Sequence, residues 1–216
     1  MSSFTAPELK FVILAAGFSS RLGTPKALAQ VRSVTLLRRT LTLAARFAPA
    51  HIIVVVPRGA ARFRIEARGL NVTFAVNSRR SEGLSSSVRL GIERARYSTA
   101  VLLLPVDLVA LKLRDVRRLI SRWRAARRRV IARSVETKGA AHGGVPHGGV
   151  PHGGVPLILP RWLYPRALAV RGDTGLRGLV AGLSPKEQVL LNLPSAAFDV
   201  DTPQDLSTAR RRRTAG

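Results

Sequence analysis

The chain has 216 residues, of which 36 are lysine or arginine and 12 are aspartate or glutamate, so its formal net charge is +24. It contains no cysteine, which excludes disulfides, thiolate metal sites and a cysteine nucleophile. Hydrophobic residues make up 46% of the chain, enough for the core of one α/β domain. Neither a signal peptide nor a membrane-spanning segment is predicted, so we expect a cytoplasmic protein that does not enter membranes.

The positive charge is spread along the chain in short arginine clusters, such as Arg127–Arg129 and Arg210–Arg213. A charge of this size favours polyanionic partners, and we expect non-specific binding of nucleic acid at low salt. The few aromatic residues do not alternate with the basic clusters, as they would on a base-stacking surface. We therefore favour an enzyme with anionic substrates over a dedicated nucleic-acid-binding protein.

Taken in chain order, the hydrophobic patterns predict strands that alternate with helices. The strands are predicted at 11–14, 51–56, 71–76, 100–106, 129–135, 154–159 and 189–193. The helices are predicted at 26–47, 60–68, 84–96, 113–128, 161–168, 175–181 and from Pro203 onwards. This alternation predicts a single domain over residues 1–216, a three-layer α/β/α sandwich with right-handed crossovers. We expect frayed ends at 1–10 and 210–216.

The segment 142–156 contains the sequence HGGVP three times without a break. It carries three of the four histidines of the chain, which would suit a metal, but no carboxylate or cysteine lies among them. We interpret the segment as a tandem expansion of one loop unit, whose last copy is the original turn before a strand.

The stretch Phe11–Lys26 joins a predicted buried strand to a loop of small residues that contains Arg21. Small side chains allow backbone N–H groups to approach phosphate oxygens, and the two cations, Arg21 and Lys26, offset negative charge. The loop has neither the Walker pattern nor the G-x-G-x-x-G pattern of dinucleotide-binding proteins. An ordinary strand-to-helix turn remains the alternative at this point.

Three aspartates lie at predicted strand ends, and two of them belong to the segment 198–206, which is predicted as a strand end that turns into the last helix. Asp107 comes directly after the apolar run Val101–Val106, at the edge of the sheet where α/β proteins bind ligands. Asp199 and Asp201 are two positions apart and face the same side if the segment is extended. Such carboxylates suit Mg²⁺, whereas the alternative is that they cap the helix that follows.

Two further polar segments precede predicted helices. Amides and hydroxyls around Ser85 and Ser86 can bind a base edge or an anion, although a plain serine cap fits the pattern equally. Asp173, in Gly172–Arg177, is by itself an acidic residue at the start of a helix.

Together these motifs resemble the signatures of the MobA-like NTP transferase family. Residues 14–26 match L-A-[AG]-G-x-S-x-R-[ML]-G-x-x-K at every fixed position, and 77–91 match N-x(5)-G-[LM]-x-x-S-[LV]-x-x-G. Residues 172–177 match G-D-x-G-[AL]-R, and 199–205 match D-[IV]-D-T-P-[EQ]-D. The chain departs from the family where Leu108-Val109 replaces x-Pro after Asp107, and where Gly-Val-Pro replaces Gly-His-Pro at 154–156.

The resemblance implies a fold of the nucleotide-diphospho-sugar transferase type, with a mostly parallel but mixed Rossmann-like sheet. It also implies Mg²⁺-dependent transfer of NMP from an NTP to a phosphate-bearing acceptor, with release of pyrophosphate. Arg21, Lys26 and Asp107 would act in catalysis, and Asp107 and Asp201 would hold the metal, with Asp199 as a further candidate. The implied acceptor-binding residues are Gly154, Pro156 and Asp173. The implied nucleotide-binding residues are Leu14, Ala15, Ala16, Gly17, Ser19, Ser20, Arg21, Lys26, Asn77, Gly83, Ser85 and Ser86.

Ala16 stands where GTP-using members of the family have a second glycine, and this is similar to the CTP-using branch with molybdenum cofactor cytidylyltransferase. The resemblance therefore implies CTP and molybdopterin as substrates, and a molybdoenzyme or an accessory protein as a partner. Two alternatives stay open: a sugar- or polyol-phosphate nucleotidyltransferase, and a basic nucleic-acid-binding or accessory protein that kept the fold without the chemistry.

Overall fold

The computed structural model describes residues 8–47, 51–126, 129–135, 152–172 and 175–211. Seven of its strands form one sheet in the order β5-β4-β1-β6-β8-β7-β9, and the other two, β2 and β3, form a short hairpin. The strands are β1 (Leu9–Leu14), β2 (Gln30–Val31), β3 (Val34–Thr35), β4 (Ile52–Pro57), β5 (Val72–Asn77), β6 (Ala100–Pro105), β7 (Val130–Val135), β8 (His152–Pro160) and β9 (Gln188–Asn192).

The sheet is mixed but mostly parallel. Strand β1 lies between β4 and β6 and is parallel to both, and the pairs β4–β5 and β7–β9 are also parallel. Among the described strands of the sheet, β8 alone runs against its neighbours, β6 and β7. This arrangement confirms the predicted mixed sheet.

Helices cover both faces of the sheet. Alternate residues of β1 belong to two separate cores, with Phe11 and Ile13 in one and Val12 and Leu14 in the other. This division confirms the predicted three-layer sandwich. No helix of the described ranges is long and apolar enough to span a bilayer. The helices are α1 (Leu36–Ala45), α2 (Ala61–Glu66), α3 (Leu84–Arg94), α4 (Leu113–Ala125), α5 (Tyr164–Ala169), α6 (Gly175–Ala181) and α7 (Pro203–Arg211).

The predicted helix at 26–47 is wrong over its first ten residues. Lys26–Leu28 forms a 3₁₀ turn, the β2–β3 hairpin follows, and α1 begins only at Leu36. Arg32 and Ser33 have φ angles of 53° and 61°, which suit a two-residue hairpin turn and not a helix. The Thr35 hydroxyl then accepts a hydrogen bond from the Arg38 N–H at 3.1 Å and so caps α1.

Part of each end that we expected to be frayed belongs to a regular element. Leu9 and Lys10 belong to β1 and pair with Ala100 and Val101 of β6, and α7 extends through Arg211. The last copy of the HGGVP repeat begins β8, whereas residues 142–151, which contain the first two copies, lie outside the described ranges.

Helix α3 packs closely on β1 because Gly91 has no side chain. A Cβ on Gly91 would collide with the side chain of Val12. Val88 and Ile92 of α3 are buried in the same core as Val12. This close packing holds α3 against β1, the strand from which the Gly/Ser-rich loop leaves.

Candidate active site

A cleft of about 700 Å³ opens at the carboxyl ends of β1 and β6. The chain leaves β1 towards β4 on one side and returns to β6 on the other side of β1, and open α/β sheets bind ligands at such a position. The lining residues are Leu14, Ala15, Ala16, Gly17, Phe18, Ser19, Ser20, Arg21, Lys26, Ala27, Arg80, Ser81, Gly83, Leu84, Ser87, Pro105, Val106, Asp107, Leu108, Gly154, Val155, Leu157, Leu176, Asp199 and Asp201.

The loop after β1 is closed by its own hydrogen bonds. The backbone N–H of Lys26 donates to the Ser19 hydroxyl oxygen at 2.8 Å, although the two residues are seven positions apart. Ser19 and Gly23 have φ angles of 56° and 73°, so the loop turns back on itself twice. A Cβ on Gly17 would meet no atom within 4 Å, so protein packing does not require a glycine there.

Three carboxylates converge on the other side of the cleft. Asp107, Asp199 and Asp201 each offer an oxygen, and these oxygens lie within 4.8 Å of one another. The backbone N–H of Val200 donates to the Asp107 carbonyl oxygen at 3.2 Å and holds the two segments together. A set of carboxylate oxygens fits a hard divalent cation, so the chemistry of these donors is compatible with Mg²⁺ or Mn²⁺.

The ammonium group of Lys26 lies between two of these carboxylates. Its Nζ donates to Asp107 Oδ2 at 2.9 Å and also forms a short hydrogen bond with Asp201 Oδ1. The Lys26 side chain is only 15% exposed, compared with 43% for that of Asp201. Lys26 therefore links the loop after β1 to both acidic segments.

Burial and the neighbouring negative charges shift the pKa of Lys26 in opposite directions. Burial favours neutral Lys26, but the charge of Asp107 and hydrogen bonds to both carboxylates outweigh it and raise the pKa of Lys26. Burial raises the pKa of Asp107, and the attraction of Lys26 offsets this only in part. The charge of Asp107 thus depends on a neighbouring cation.

Arg21 extends into the cleft with little restraint. Its Nη1 lies 4.0 Å from Asp201 Oδ2, and its side chain is 76% exposed. An exposed ion pair of this kind contributes little to stability. The guanidinium is therefore accessible to an anionic ligand.

The structure brings most of the predicted site residues to the cleft. Within the described ranges, Asn77, Ser85, Ser86 and Pro156 are not among its lining residues. Asp173 lies outside the described residues. The predicted residues that line the cleft are Leu14, Ala15, Ala16, Gly17, Ser19, Ser20, Arg21, Lys26, Gly83, Asp107, Gly154, Asp199 and Asp201.

Asn77 is buried, and its side chain makes hydrogen bonds within the protein segment that forms one wall of the cleft. Its amide NH₂ donates to the Ser86 and Ser87 hydroxyl oxygens at 2.8 and 2.9 Å, and its Oδ1 accepts from the Arg79 N–H at 2.8 Å. The Ser86 hydroxyl in turn donates to the Gly83 carbonyl oxygen at 2.8 Å. These bonds fix the start of α3, where Gly83 and Ser87 line the cleft.

Sequence reasoning missed a cation–aromatic pair at the mouth of the cleft. The guanidinium carbon of Arg80 lies 4.0 Å from the centre of the Phe18 ring, and Phe18 is 57% exposed. An aromatic residue within a loop of small residues was the available signal for Phe18. Arg80 gave none, because arginines are common throughout this chain.

Arg89 joins the cleft wall to the segment before Gly172. It donates to the Val170 carbonyl oxygen at 2.7 Å and to the Ser85 hydroxyl oxygen at 3.1 Å, and it pairs with Glu82. Its side chain is only 12% exposed, whereas that of its partner Glu82 is 42% exposed. Arg89 therefore sets where the Arg80–Glu82 turn lies.

This fold, with a loop of small residues facing three carboxylates across one cleft, is that of a nucleotidyltransferase. The family model of the MobA-like NTP transferase domain matches residues 11–189, and the chain belongs to this family. No curated protein sequence matches the chain significantly.

Solved structures show the same fold. The crystal structure of Rv0371c from Mycobacterium tuberculosis H37Rv is 26% identical with a TM-score of 0.73, covering 96% of this chain and 100% of that one. Its complex with manganese aligns at 23% identity and a TM-score of 0.69, with the same coverage. The family and the three carboxylates together indicate a site for a divalent metal.

Two structures of proteins with a named biosynthetic role share this fold. The structure of 2-C-methyl-D-erythritol 4-phosphate cytidylyltransferase from Thermus thermophilus is 24% identical, with a TM-score of 0.70 and coverage of 94% and 97%. Molybdopterin-guanine dinucleotide biosynthesis protein A from Archaeoglobus fulgidus is 14% identical, with a TM-score of 0.63 and coverage of 93% and 96%. At these identities the likeness concerns the fold.

Proposed function

We propose that this protein transfers CMP from CTP to the phosphate group of molybdopterin, with Mg²⁺ as the metal, and releases pyrophosphate. The observation that carries this proposal is the meeting of two elements in one cleft. The loop of small residues with Arg21 and Lys26 faces the carboxylates of Asp107 and Asp201. One element suits a triphosphate, and the other suits the metal that accompanies it.

In the proposed reaction, an oxygen of the acceptor phosphate attacks the α-phosphorus of the nucleotide in line with the leaving group. The new P–O bond forms as the bond from the α-phosphorus to the α–β bridging oxygen breaks, and pyrophosphate leaves with that electron pair. The N–H groups of the loop, together with Arg21 and Lys26, stabilise the charge that grows on the leaving group. Asp107 and Asp201 would hold Mg²⁺, which supplies Lewis-acid charge neutralisation at the phosphates when it is bound.

No general base is needed for this chemistry. A phosphate monoester already carries a nucleophilic oxygen at neutral pH, so no proton must be removed from it. Among the described residues, the groups in the cleft that carry charge are arginine, lysine and aspartate. This composition supports charge stabilisation and positioning as the main contributions of the protein.

The preference for CTP rests on the wall formed by Ala16. This residue lines the cleft and is only 1% exposed, so its methyl group is held in place by the core around Val12. A fixed methyl group next to a base would crowd the larger purine ring system more than a pyrimidine. The acceptor would lie near Gly154 and Pro156, with Asp173 as a further contact.

Pyrophosphate release tests the proposal. The assay combines Mg²⁺, each of the four NTPs in turn, and molybdenum cofactor as the acceptor, with Asp107→Asn as the inactive control. Release with CTP alone is the expected result. Release only when 2-C-methyl-D-erythritol 4-phosphate replaces the cofactor would assign a polyol phosphate as the acceptor instead.

A nucleic-acid-binding protein that lacks nucleotidyltransferase activity would give different binding results. Tight RNA binding at physiological salt, without metal-dependent NTP binding, would reject the transferase and favour a nucleic-acid-binding role. Metal-dependent CTP binding without RNA binding would reject that role.

A further inference from the structure

The position of Lys26 raises a question about how the metal enters the site. Its Nζ makes hydrogen bonds to Asp107 Oδ2 and Asp201 Oδ1, carboxylate oxygens of two of the three aspartates that converge there. The converging oxygens lie within 4.8 Å of one another. A divalent cation bound to the same oxygens would need the space that the ammonium group fills.

We infer that Lys26 competes with the divalent metal for Asp107 and Asp201, so that metal binding requires Lys26 to turn towards the triphosphate of the nucleotide. The inference rests on the proposed function, because the triphosphate supplies the new partner for the displaced ammonium. It assigns to Lys26 a positioning role in addition to its contact with phosphate. The result is cooperative binding, in which metal and nucleotide each favour the other.

Charge and burial support this exchange. The Lys26 side chain is 15% exposed and that of Asp107 is 20% exposed. At this exposure, a charge on either group without an oppositely charged partner is unfavourable. Lys26 therefore leaves the carboxylates only when a cation replaces it there and an anion receives it elsewhere. A metal ion alone supplies the first of these, whereas a metal–nucleotide complex supplies both.

The local geometry provides the route. The backbone of Lys26 is fixed by its N–H bond to the Ser19 hydroxyl oxygen, at the end of the same loop that borders the cleft. Rotation about the side-chain bonds can therefore move the ammonium group while the main chain stays in place. Arg21 needs no such exchange, because it is 76% exposed and lies 4.0 Å from Asp201.

Titration with Mn²⁺, followed by the electron paramagnetic resonance signal of the free ion, tests the inference without turnover. We expect the Lys26→Met variant to bind Mn²⁺ alone at least about tenfold more tightly than the wild-type protein. Arg21→Gln removes one positive charge near Asp201 without vacating the hydrogen-bonded position, and we expect a change of about twofold or less. Equal Mn²⁺ affinity in Lys26→Met and wild type would overturn the inference.

A second titration includes a non-hydrolysable CTP analogue. We expect the analogue to tighten Mn²⁺ binding to the wild-type protein about tenfold or more, and to do so less in Lys26→Met, since there is no lysine to displace. The same gain in both proteins would overturn the coupling. If the analogue has no effect on either protein while Lys26→Met still binds Mn²⁺ more tightly, the proposed function fails and the competition stands.

Folding is checked by circular dichroism and a thermal melt. If Lys26→Met does not fold, Lys26→Gln keeps a hydrogen-bond donor without the charge and takes its place. Lys26→Arg retains the competing cation and is expected to bind Mn²⁺ no more tightly than wild type. Tighter binding by Lys26→Arg would overturn the inference, because the positive charge would then not be the competitor.

Discussion

The main-chain N–H of Lys26 donates to the Ser19 hydroxyl oxygen at 2.8 Å, and this bond closes the loop that borders the cleft. Ser19 also has a φ angle of 56°, which is uncommon for a residue with a side chain. One residue therefore contributes both a hydroxyl group and a left-handed backbone. We expect Ser19→Ala to weaken CTP binding about 2- to 10-fold, the usual effect of one lost hydrogen bond.

Comparison with Ser19→Gly separates the two contributions. Glycine adopts a positive φ without strain but also lacks the hydroxyl group. If the hydrogen bond holds the loop, both variants bind CTP more weakly in isothermal titration calorimetry. Wild-type affinity in Ser19→Gly would show that only the backbone conformation matters.

The carboxylate of Asp107 is expected to be necessary for turnover. We expect Asp107→Asn to lower kcat/KM at least about 100-fold, because the proposed metal site would lose a charged ligand and Lys26 would lose one of its two carboxylate partners. Lys26→Ala is expected to be similarly inactive. Glu93→Gln, which neutralises an exposed carboxylate on α3, is the matched control and should retain wild-type activity. A folded Asp107→Asn variant with the wild-type rate would contradict the assignment.

Arg89 is expected to support both stability and nucleotide binding. We expect Arg89→Met to lower the free energy of unfolding by about 1–3 kcal/mol, since it leaves the Val170 carbonyl oxygen and Glu82 without this partner. KM for CTP should rise more than kcat falls, because the Arg80–Glu82 turn borders the cleft but carries none of the proposed metal ligands. Urea denaturation and initial rates measure the two effects.

Arg94→Met is the control for Arg89, because Arg94 lies on the same helix and is exposed. We expect it to change stability by less than about 0.5 kcal/mol. Equal effects of the two substitutions would mean that the contacts of Arg89 with Val170, Ser85 and Glu82 are not responsible.

Local sequence patterns were enough to predict the fold and many of the residues that line the cleft. The phosphate-type loop is one continuous stretch from Leu14 to Lys26, and Asp107 follows a clearly apolar strand, so both could be located without coordinates. The family and the three-layer α/β/α sandwich were likewise predicted and are confirmed. The catalytic and binding roles of the individual residues stay predictions.

Local patterns could not predict contacts between distant segments, although the family resemblance implied that Asp107 and Asp201 share one metal site. Lys26 pairs with residues 81 and 175 positions away, and their approach depends on the order of strands in the sheet. Similarly, the helical spacing of Leu28 and Val31 suggested a helix, because nothing in the apolar pattern marks the turn at Arg32 and Ser33. Asn77 was expected at the nucleotide because of its motif, yet its amide is used inside the protein.

Alkaline pH is expected to destabilise the fold through Tyr164. This residue is buried, its hydroxyl lies 3.0 Å from the Ser98 hydroxyl oxygen, and burial raises its pKa to about 12. The unfolded chain loses the phenolic proton near pH 10, whereas the folded chain keeps it up to about pH 12. Protonated Tyr164 therefore makes its full contribution to the free energy of unfolding below pH 10. This contribution is lost as the pH rises from 10 to 12, and the free energy of unfolding falls by about 2–3 kcal/mol at most.

Tyr164→Phe removes this titration while the ring stays in the core. We expect its free energy of unfolding to fall less steeply than that of wild type between pH 10 and 12, measured by urea denaturation. Tyr97→Phe, at a site that is 62% exposed, serves as the control and should follow the wild-type curve. Parallel curves for wild type and Tyr164→Phe would exclude Tyr164 as the cause.

Ala16 is expected to set the choice of nucleotide. Ala16 is one of the residues that line the cleft, and it belongs to the same buried core as Val12 and Leu14, so this part of the wall cannot move aside easily. We expect Ala16→Gly to lower the ratio of kcat/KM for CTP to that for GTP at least about tenfold, the scale on which one methyl group discriminates between ligands. The ratio is the useful quantity, because removing a buried methyl group also costs about 1 kcal/mol of stability. Ala29→Gly removes a buried methyl group outside the cleft and should leave the CTP-to-GTP ratio of kcat/KM unchanged. An unchanged ratio in a folded Ala16→Gly variant would mean that other residues determine the choice of nucleotide.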